Sequence, residues 1–542
     1  MEACRINVSG VEEKWRVRLK VVFRADASLK MGTGHVMRCL TLAQVLKENG
    51  ADVKFICRKH EGNLIDKVRS SGFNVYELEV LKKSEVDNKL EHSHWLGATQ
   101  EQDAYDCVNT IKSKETDWLI VDHYALDEQW QKSLKPYYKK IMVIDDLADR
   151  KHQCDILLDQ TFGRQHDDYL TLVPKDCELL LGSQYALLRP EFAKWRAYSL
   201  ERRSKPEFKQ LLINMGGIDA DNVTENILDE LKICNLPNDI NIIVVMGGSA
   251  PHLKSVKFKA DTLPYKTGVK VDVDNMAEIM ANSDIAIGAS GATTWERCCL
   301  GLPAIQIVIA KNQLFLAETL SNHNIIKLVK TIKETTHLLE RSAEWMNNIG
   351  SSALEICDGR GVYKVFNKMT DYKIILEDFG EIELCNYVNL NKNDKMLVLS
   401  MRNHPEIKKW MHNQDNISNV THFEFIKSLE SKMDRRYFLV KQNNNIMGSI
   451  NFSEIDLYSS VEFGIYTNPF LQLRGAGRLL EAVASHYAFI ELNVNKIKLE
   501  VFSNNERAIH FYNKCGFEFI NTKSVNHQDI MRMEKMKILE KV

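Results

Sequence analysis

Gly32-Thr33-Gly34-His35 sets an imidazole behind two glycines, between the apolar run Val21-Val22-Phe23 and a helical pattern from Cys39 to Asn49. Imidazole is the side chain that exchanges a proton near neutral pH, so it suits a base that activates water. A glycine-rich turn between strand and helix lets the backbone approach a ligand closely. The helix start then offers unpaired N–H groups to negative charge. Such a turn also occurs without a ligand, the histidine then only bonding a nearby loop. Other polar groups stand at similar places. Arg24-Ala25-Asp26 follows the first run, Asp122-His123-Tyr124 ends Trp118–Val121, and Asp145-Asp146 ends Ile141–Ile144. One such aspartate is ordinary turn or capping chemistry, whereas several beside one histidine make a polar pocket.

Further along, glycines close three apolar runs, at Met215-Gly216-Gly217, Met246-Gly247-Gly248 and Gly288-Ala289-Ser290-Gly291. Each is a candidate anion site or simply a tight turn. Gln472-Leu473-Arg474-Gly475-Ala476-Gly477 runs straight into a helix from Arg478, which fits a pyrophosphate cradle and also fits a plain capping turn. Glu462 lies in an alternating strand, as a base for an amine or as a solvent-facing acid. Tyr512 ends a helix, as a proton donor or as core packing.

The elements that must position these groups follow from apolar periodicity. Strands read at Asp52–Cys57, Asn74–Leu78, Asp117–Asp122, Lys140–Asp146 and Asp155–Asp159, alternating with helical stretches. That alternation implies right-handed βαβ units and a parallel sheet. A charged helical link near Arg189–Lys205 leads to a second α/β unit, so two Rossmann-like lobes with a ligand between them are expected. From Asp371 the pattern changes to closely spaced strands. The division expected is 1–20 as an extension, 21–200 and 201–370 as lobes, and 371–542 as a separate α+β domain.

With 542 residues, 27% charged and a formal net charge of −2, the chain offers no electrostatic case for nucleic acid or an anionic membrane. No apolar run approaches the ~20 residues of a membrane span, and residues 1–20 lack a signal-peptide core, so a cytoplasmic location is expected. Twelve scattered cysteines without a Cys-x-x-Cys suggest free thiols rather than zinc or dithiol chemistry.

Taken together, Arg24–Asp26, Gly32–Cys39, Val121–Tyr124, Asp145–Asp149, Tyr185–Phe192, Met215–Gly217, Gly288–Gly291 and Thr294–Pro303 resemble a known enzyme family over residues 21–365. It is the family of UDP-sugar hydrolases of pseudaminic acid biosynthesis, which act on UDP-2,4-diacetamido-2,4,6-trideoxy-β-L-altrose. The resemblance implies a two-lobed glycosyltransferase B-like fold in which water replaces the sugar acceptor. It implies His35 as general base, with Asp26 and Asp122 stabilising positive charge at the anomeric carbon and Tyr124 contacting the sugar. Arg24 and Gly34 belong to the same substrate set. Glu296 would accept hydrogen bonds from the ribose, backbone at Gly216, Gly217, Ser290 and Gly291 would take the pyrophosphate, and Asn312 and Gln313 would bond substrate. No metal is expected.

Residues 373–537 resemble the GNAT N-acetyltransferase family. That implies acetyl-CoA held by the backbone of Ile465 and Tyr466 and by Gln472, Arg474, Gly475, Ala476, Gly477 and Arg478. Asn505 would add a contact, Tyr512 would protonate the leaving thiolate, and Glu462 would deprotonate the amine. Arg402-Asn403-His404 with Lys409-Trp410-Met411 is similar to the acetyltransferase of the same pathway, which acts on the 4-amine of the UDP-amino sugar. The expectation is therefore one bifunctional enzyme. The same chemistries on a legionaminic acid precursor, or silent UDP-sugar-binding lobes feeding an acetyltransferase, stay as alternatives. Oligomeric state is not encoded in these motifs.

Overall fold

The computed structural model describes residues 19–81, 90–111, 116–471, 473–525 and 528–537. The expected extension, up to residue 18, and Gln472 lie outside them. The chain forms two compact units, one of residues 19–45 and 52–362, the other containing 46–51 and 363–542.

The first unit holds two parallel sheets. In the first lobe the strands are β1 (Lys20–Ala25), β2 (Asp52–Arg58), β3 (Asn74–Leu78), β4 (Thr116–Asp122), β5 (Tyr138–Ile144), β6 (Ile156–Asp159) and β7 (Glu178–Leu181). Their order is β3-β2-β1-β4-β5-β6-β7, all parallel. The second lobe has β8 (Gln210–Asn214), β9 (Asn241–Met246), β10 (Lys266–Val271), β11 (Ile285–Ala289), β12 (Ala304–Ile307) and β13 (Lys327–Val329). Its order, β10-β9-β8-β11-β12-β13, repeats the design.

The central strands of both sheets are buried on two faces, which is why they read as continuous apolar runs, whereas the edge strands β3 and β10 alternate. In β8, Leu211 and Ile213 join one core and Leu212 the other. In the first lobe Leu40, Leu42, Ala43 and Val45 of the helix Gly34–Glu48 are all buried.

Strand order reverses between β1 and β4, and again between β8 and β11. Open α/β sheets place ligands at the carboxyl ends of the strands flanking such a reversal. Ala25 pairs with Asp122 across the first, and Asn214 with Gly288 across the second.

The second unit carries a mixed sheet of β14 (Tyr372–Leu376), β15 (Gly380–Asn386), β16 (Arg436–Gln442), β17 (Asn445–Asp456), β18 (Ser460–Thr467), β19 (Lys496–Phe502), β20 (Glu518–Val525) and β21 (Gln528–Met536). The order is β14-β15-β16-β17-β18-β19-β21-β20, antiparallel except at β18–β19. That parallel pair is short. Ser460–Glu462 matches Lys496–Lys498, and beyond these residues the two strands no longer pair.

Two glycine exits support one another in the second lobe. Gly247 donates its N–H to the Gly217 carbonyl at 3.0 Å, and a Cβ on Gly247 would lie 2.3 Å from that oxygen. The turn at Gly216-Gly217, with Gly216 at φ +99°, is thus buttressed by a neighbour that must lack a side chain. Gly247→Ala should lower unfolding stability by about 1–3 kcal/mol, as small-to-large changes in packed regions do. Urea denaturation would read it, and an unchanged midpoint would show that the turn can shift freely.

Candidate functional site

The helix Gly34–Glu48 begins directly after the Gly32 turn, where Gly32 takes φ +79°, and brings His35 and Arg38 to the reversal between β1 and β4. Asp122, the last residue of β4, is fully enclosed and receives both. His35 Nδ1 lies 2.6 Å from Asp122 Oδ1, while Arg38 Nε and Nη2 donate to Oδ2 and Oδ1 at 2.6 and 2.7 Å. The third arm of Arg38, Nη1, donates to Asp146 Oδ2 at 2.6 Å, and the Tyr124 hydroxyl donates to the same oxygen at 2.6 Å. The Tyr124 ring then packs edge-on against the imidazole, with centroids 4.6 Å apart. Five side chains therefore close a ring: His35, Asp122, Arg38, Asp146, Tyr124.

A carboxylate at Nδ1 fixes that nitrogen as the proton donor and leaves the Nε2 lone pair for chemistry. Among the described residues Nε2 has no hydrogen-bond partner. Burial opposes charge on Asp122, but Arg38 and His35 outweigh it and hold the carboxyl well below the usual range. Trp95 stacks on the outer side of Tyr124 at 5.8 Å, with His92 against Trp95 at 4.4 Å.

A second ionic cluster lies behind this ring. Arg24, Asp26, Arg58 and Asp103 are all 0% exposed. Arg24 donates to Asp103 and Asp26, Arg58 to Asp103, and Trp130 Nε1 to Asp103 at 3.0 Å. His123 and His60 point Nε2 at Asp26 Oδ2 from 3.3 and 3.6 Å. Burial raises the Asp26 pKa, yet Arg24 and the two histidines pull it well below the carboxylate range. A carboxylate so depressed adds stability above its unfolded value of about 3.9 and loses it as pH falls toward the folded value.

The second lobe meets the Gly-x-Gly-His turn at Gly217, where a Cβ would sit 3.6 Å from Thr33 Oγ1. Ser290 is buried and donates to Gln306 at 2.7 Å, while Gly291 lies beside the Gln313 amide. Gln313 Oε1 accepts from the Ile309 N–H at 3.2 Å. Asn312 sits in the short 3-10 turn Lys311–Gln313. Glu296, on the helix Thr293–Cys299, faces Arg189 at 4.0 Å, and burial pushes its carboxyl up to about 6 against the pull of Arg189.

In the other unit, the parting of β18 from β19 leaves Ile465 and Tyr466 unpaired on that side. The exposed turn Leu473-Arg474-Gly475 leads into the helix Ala476–His486, with Gly475 as its left-handed N-cap at φ +85° and Gly477 and Arg478 in its first turn. Asn505 caps the helix Glu506–Lys514 by accepting from Ala508 N–H. On that helix Tyr512 packs between Phe463 and Phe517, and burial pushes its phenol pKa up. Burial, then Glu500 and Glu454, raises the Glu462 carboxyl. The Tyr466 hydroxyl joins Tyr387, which bonds Ser449 at 2.6 Å.

Known proteins align with both units. The family model of the glycosyltransferase family 28 C-terminal domain matches residues 211–353, and that of the acetyltransferase (GNAT) family matches 400–517. The UDP-2,4-diacetamido-2,4,6-trideoxy-beta-L-altropyranose hydrolase of Campylobacter jejuni is 31% identical over 54% of this chain and 93% of its own length. The acetyltransferase PseH of the same species is 37% identical over 25% of this chain and 84% of its own. An uncharacterized protein of Methanocaldococcus jannaschii is 25% identical over 92% of this chain and 97% of its own. The solved complex of Campylobacter jejuni PseH with acetyl coenzyme A is 29% identical and covers 29% of this chain and 99% of that one, with a TM-score of 0.24.

The chain belongs to both families, the UDP-sugar hydrolase and the GNAT acetyltransferase.

Within the hydrolase part, the residues named from sequence separate into two groups. His35, Asp122 and Tyr124 come together in the ring, with Gly34 open beside them. Arg24 and Asp26, expected as substrate contacts, are enclosed and leave no side-chain surface for a ligand. Asp146 stands at a strand end named from sequence, whereas Asp103, Arg58, Trp95 and His92 carry no such local signal. Asp146 sits in a recognised motif, but nothing local marks Asp103 as the partner of Arg24, 79 residues away.

Asp103→Ala removes the carboxylate that two enclosed guanidinium groups share, leaving Arg24 only Asp26 and Arg58 only Asp106 and the Glu79 carbonyl. The expected loss is about 3–5 kcal/mol in urea unfolding of the hydrolase lobes. A loss under about 1 kcal/mol would mean that water or another anion replaces it.

Proposed function

We propose that this chain acetylates the 4-amine of a UDP-4-amino-4,6-dideoxy sugar with acetyl-CoA, then releases UDP from the diacetamido product by water attack at the anomeric carbon. The carrying observation is the His35–Asp122 pair with a free Nε2, set beside the Gly216-Gly217 turn of the second lobe. In this reading Nε2 of His35 takes a proton from water as its oxygen bonds the anomeric carbon and the C–O bond to UDP breaks. The electron pair leaves on the diphosphate. Asp122 acts through His35 by holding its tautomer, and Tyr124 bounds the water and sugar. Backbone at Gly216, Gly217, Ser290 and Gly291 holds the pyrophosphate, Glu296 the ribose, and Asn312 and Gln313 the remaining polar groups.

For acetyl transfer, the wedge between β18 and β19 receives the pantetheine arm along Ile465 and Tyr466. The turn through Arg474, Gly475, Ala476, Gly477 and Arg478 meets the pyrophosphate at a helix start, where N–H groups are unpaired, and Gln472 belongs to the same turn. Glu462, its carboxyl raised, accepts the amine proton as nitrogen bonds the thioester carbon. Tyr512 returns a proton to the departing thiolate, and Asn505 steadies the cofactor. Both relatives carry one of these activities each, and their fusion supports consecutive steps.

Incubating the full chain with the UDP-4-amino sugar, with and without acetyl-CoA, tests the order. UDP release should require acetyl-CoA. His35→Ala should stop at the acetylated nucleotide sugar, with hydrolysis reduced by about 100-fold or more, while Tyr512→Phe should slow acetylation. Acetylation without UDP release would contradict the hydrolase step. UDP release from the free amine at an equal rate would contradict the order.

A further inference from the structure

The guanidinium of Arg38 does more than cross-link two strand ends, because of where it stands against the imidazole. Its Nη2 lies 3.5 Å from His35 Nδ1, on the same side as the Asp122 oxygen that both groups share. Asp122 alone beside His35 would favour an imidazolium, which has no lone pair to accept a proton from water. With Arg38 forked onto that carboxylate, its negative charge is matched before it reaches the ring, and the cation itself disfavours a second positive charge there. Asp146 in turn holds Arg38 from the far side and draws off part of that cationic field.

The other groups facing His35 do not replace this balance. Tyr124, from the loop after β4, presents a ring edge and spends its hydroxyl on Asp146. Trp95 stands 6.4 Å away, and His92 lies behind it. Arg150 lies over the Tyr124 ring at 5.7 Å and is tied to Asp145 and Asp149. Cys39 donates weakly to Asp122 from 3.6 Å and carries no charge, since burial and Asp122 push its thiol pKa up.

We propose that Arg38 is a positioning residue that keeps His35 neutral and protonated on Nδ1, with Asp146 setting how strongly it does so. The role deepens the hydrolase reading and rests on His35 being its base.

Two readouts test it on the full chain. One is the pH profile of UDP release. The other is the NMR titration of the His35 ring in protein labelled at histidine, assigned by comparison with His35→Gln. In Arg38→Gln the acidic limb of the profile and the ring midpoint should both move to higher pH, by about one unit. In Asp146→Asn both should move to lower pH, because Arg38 then acts unopposed. Arg38→Lys, which keeps charge without the fork, should restore most of the shift.

A uniform rate loss across pH in Arg38→Gln, with an unmoved ring midpoint, would overturn the proposal. So would an unmoved midpoint in Asp146→Asn, the variant that decides the matter if Arg38→Gln does not fold. If the wild-type chain releases no UDP at any pH, the hydrolase reading fails, and the two ring midpoints still decide the role of Arg38.

Discussion

An enclosed carboxylate is costly unless its charge is matched, and Asp122 is enclosed completely. Arg38 matches it with two hydrogen bonds and His35 with a third. Much of the first lobe's architecture follows from keeping those three groups in one place. β4 must end at Asp122, the helix must start immediately after the Gly32 turn, and β5 must deliver Asp146 to the remaining arm of Arg38. Because one guanidinium spans β4 and the segment after β5, these strand ends are cross-linked by charge-assisted bonds rather than by apolar packing alone.

The Arg24–Asp103–Arg58–Asp26 cluster extends the same logic at β1 and β2. Each charge is opposed by another, and Trp130 and the Arg58 N–H add hydrogen bonds. Such a network holds a unique arrangement, since partial satisfaction of any member is expensive. The first lobe thus rests on paired charges, whereas the second lobe holds its turn through glycines packed against one another at Gly217 and Gly247.

The parallel sheets were legible because doubly buried strands leave continuous apolar runs, and the glycine turns were legible because positive φ restricts residue type. His35 stood out because an imidazole directly follows such a turn. What was not legible is which charges pair. Asp103 lies on the helix Gln100–Ile111, and its bonds to Arg24 and Arg58 span 79 and 45 residues. Periodicity records which face of a helix is buried, and is silent on the partner waiting there. Arg24 and Asp26 therefore read as site residues by proximity to the motif, although the fold encloses them. Likewise the short register of β18 against β19, which opens the wedge at Ile465 and Tyr466, is a non-local property that no single strand announces. The helix Glu506–Lys514, which carries Tyr512 and is capped by Asn505, was legible because its pattern is local.

The fate of the water oxygen tests the central claim most directly. UDP release in water enriched in oxygen-18, with products analysed by mass spectrometry, distinguishes the two bonds that could break. Activation of water by His35 at the anomeric carbon predicts label in the free sugar and none in UDP. Label in the terminal phosphate of UDP would place the attack at phosphorus, and the His35–Asp122 pair would then have to be assigned another task.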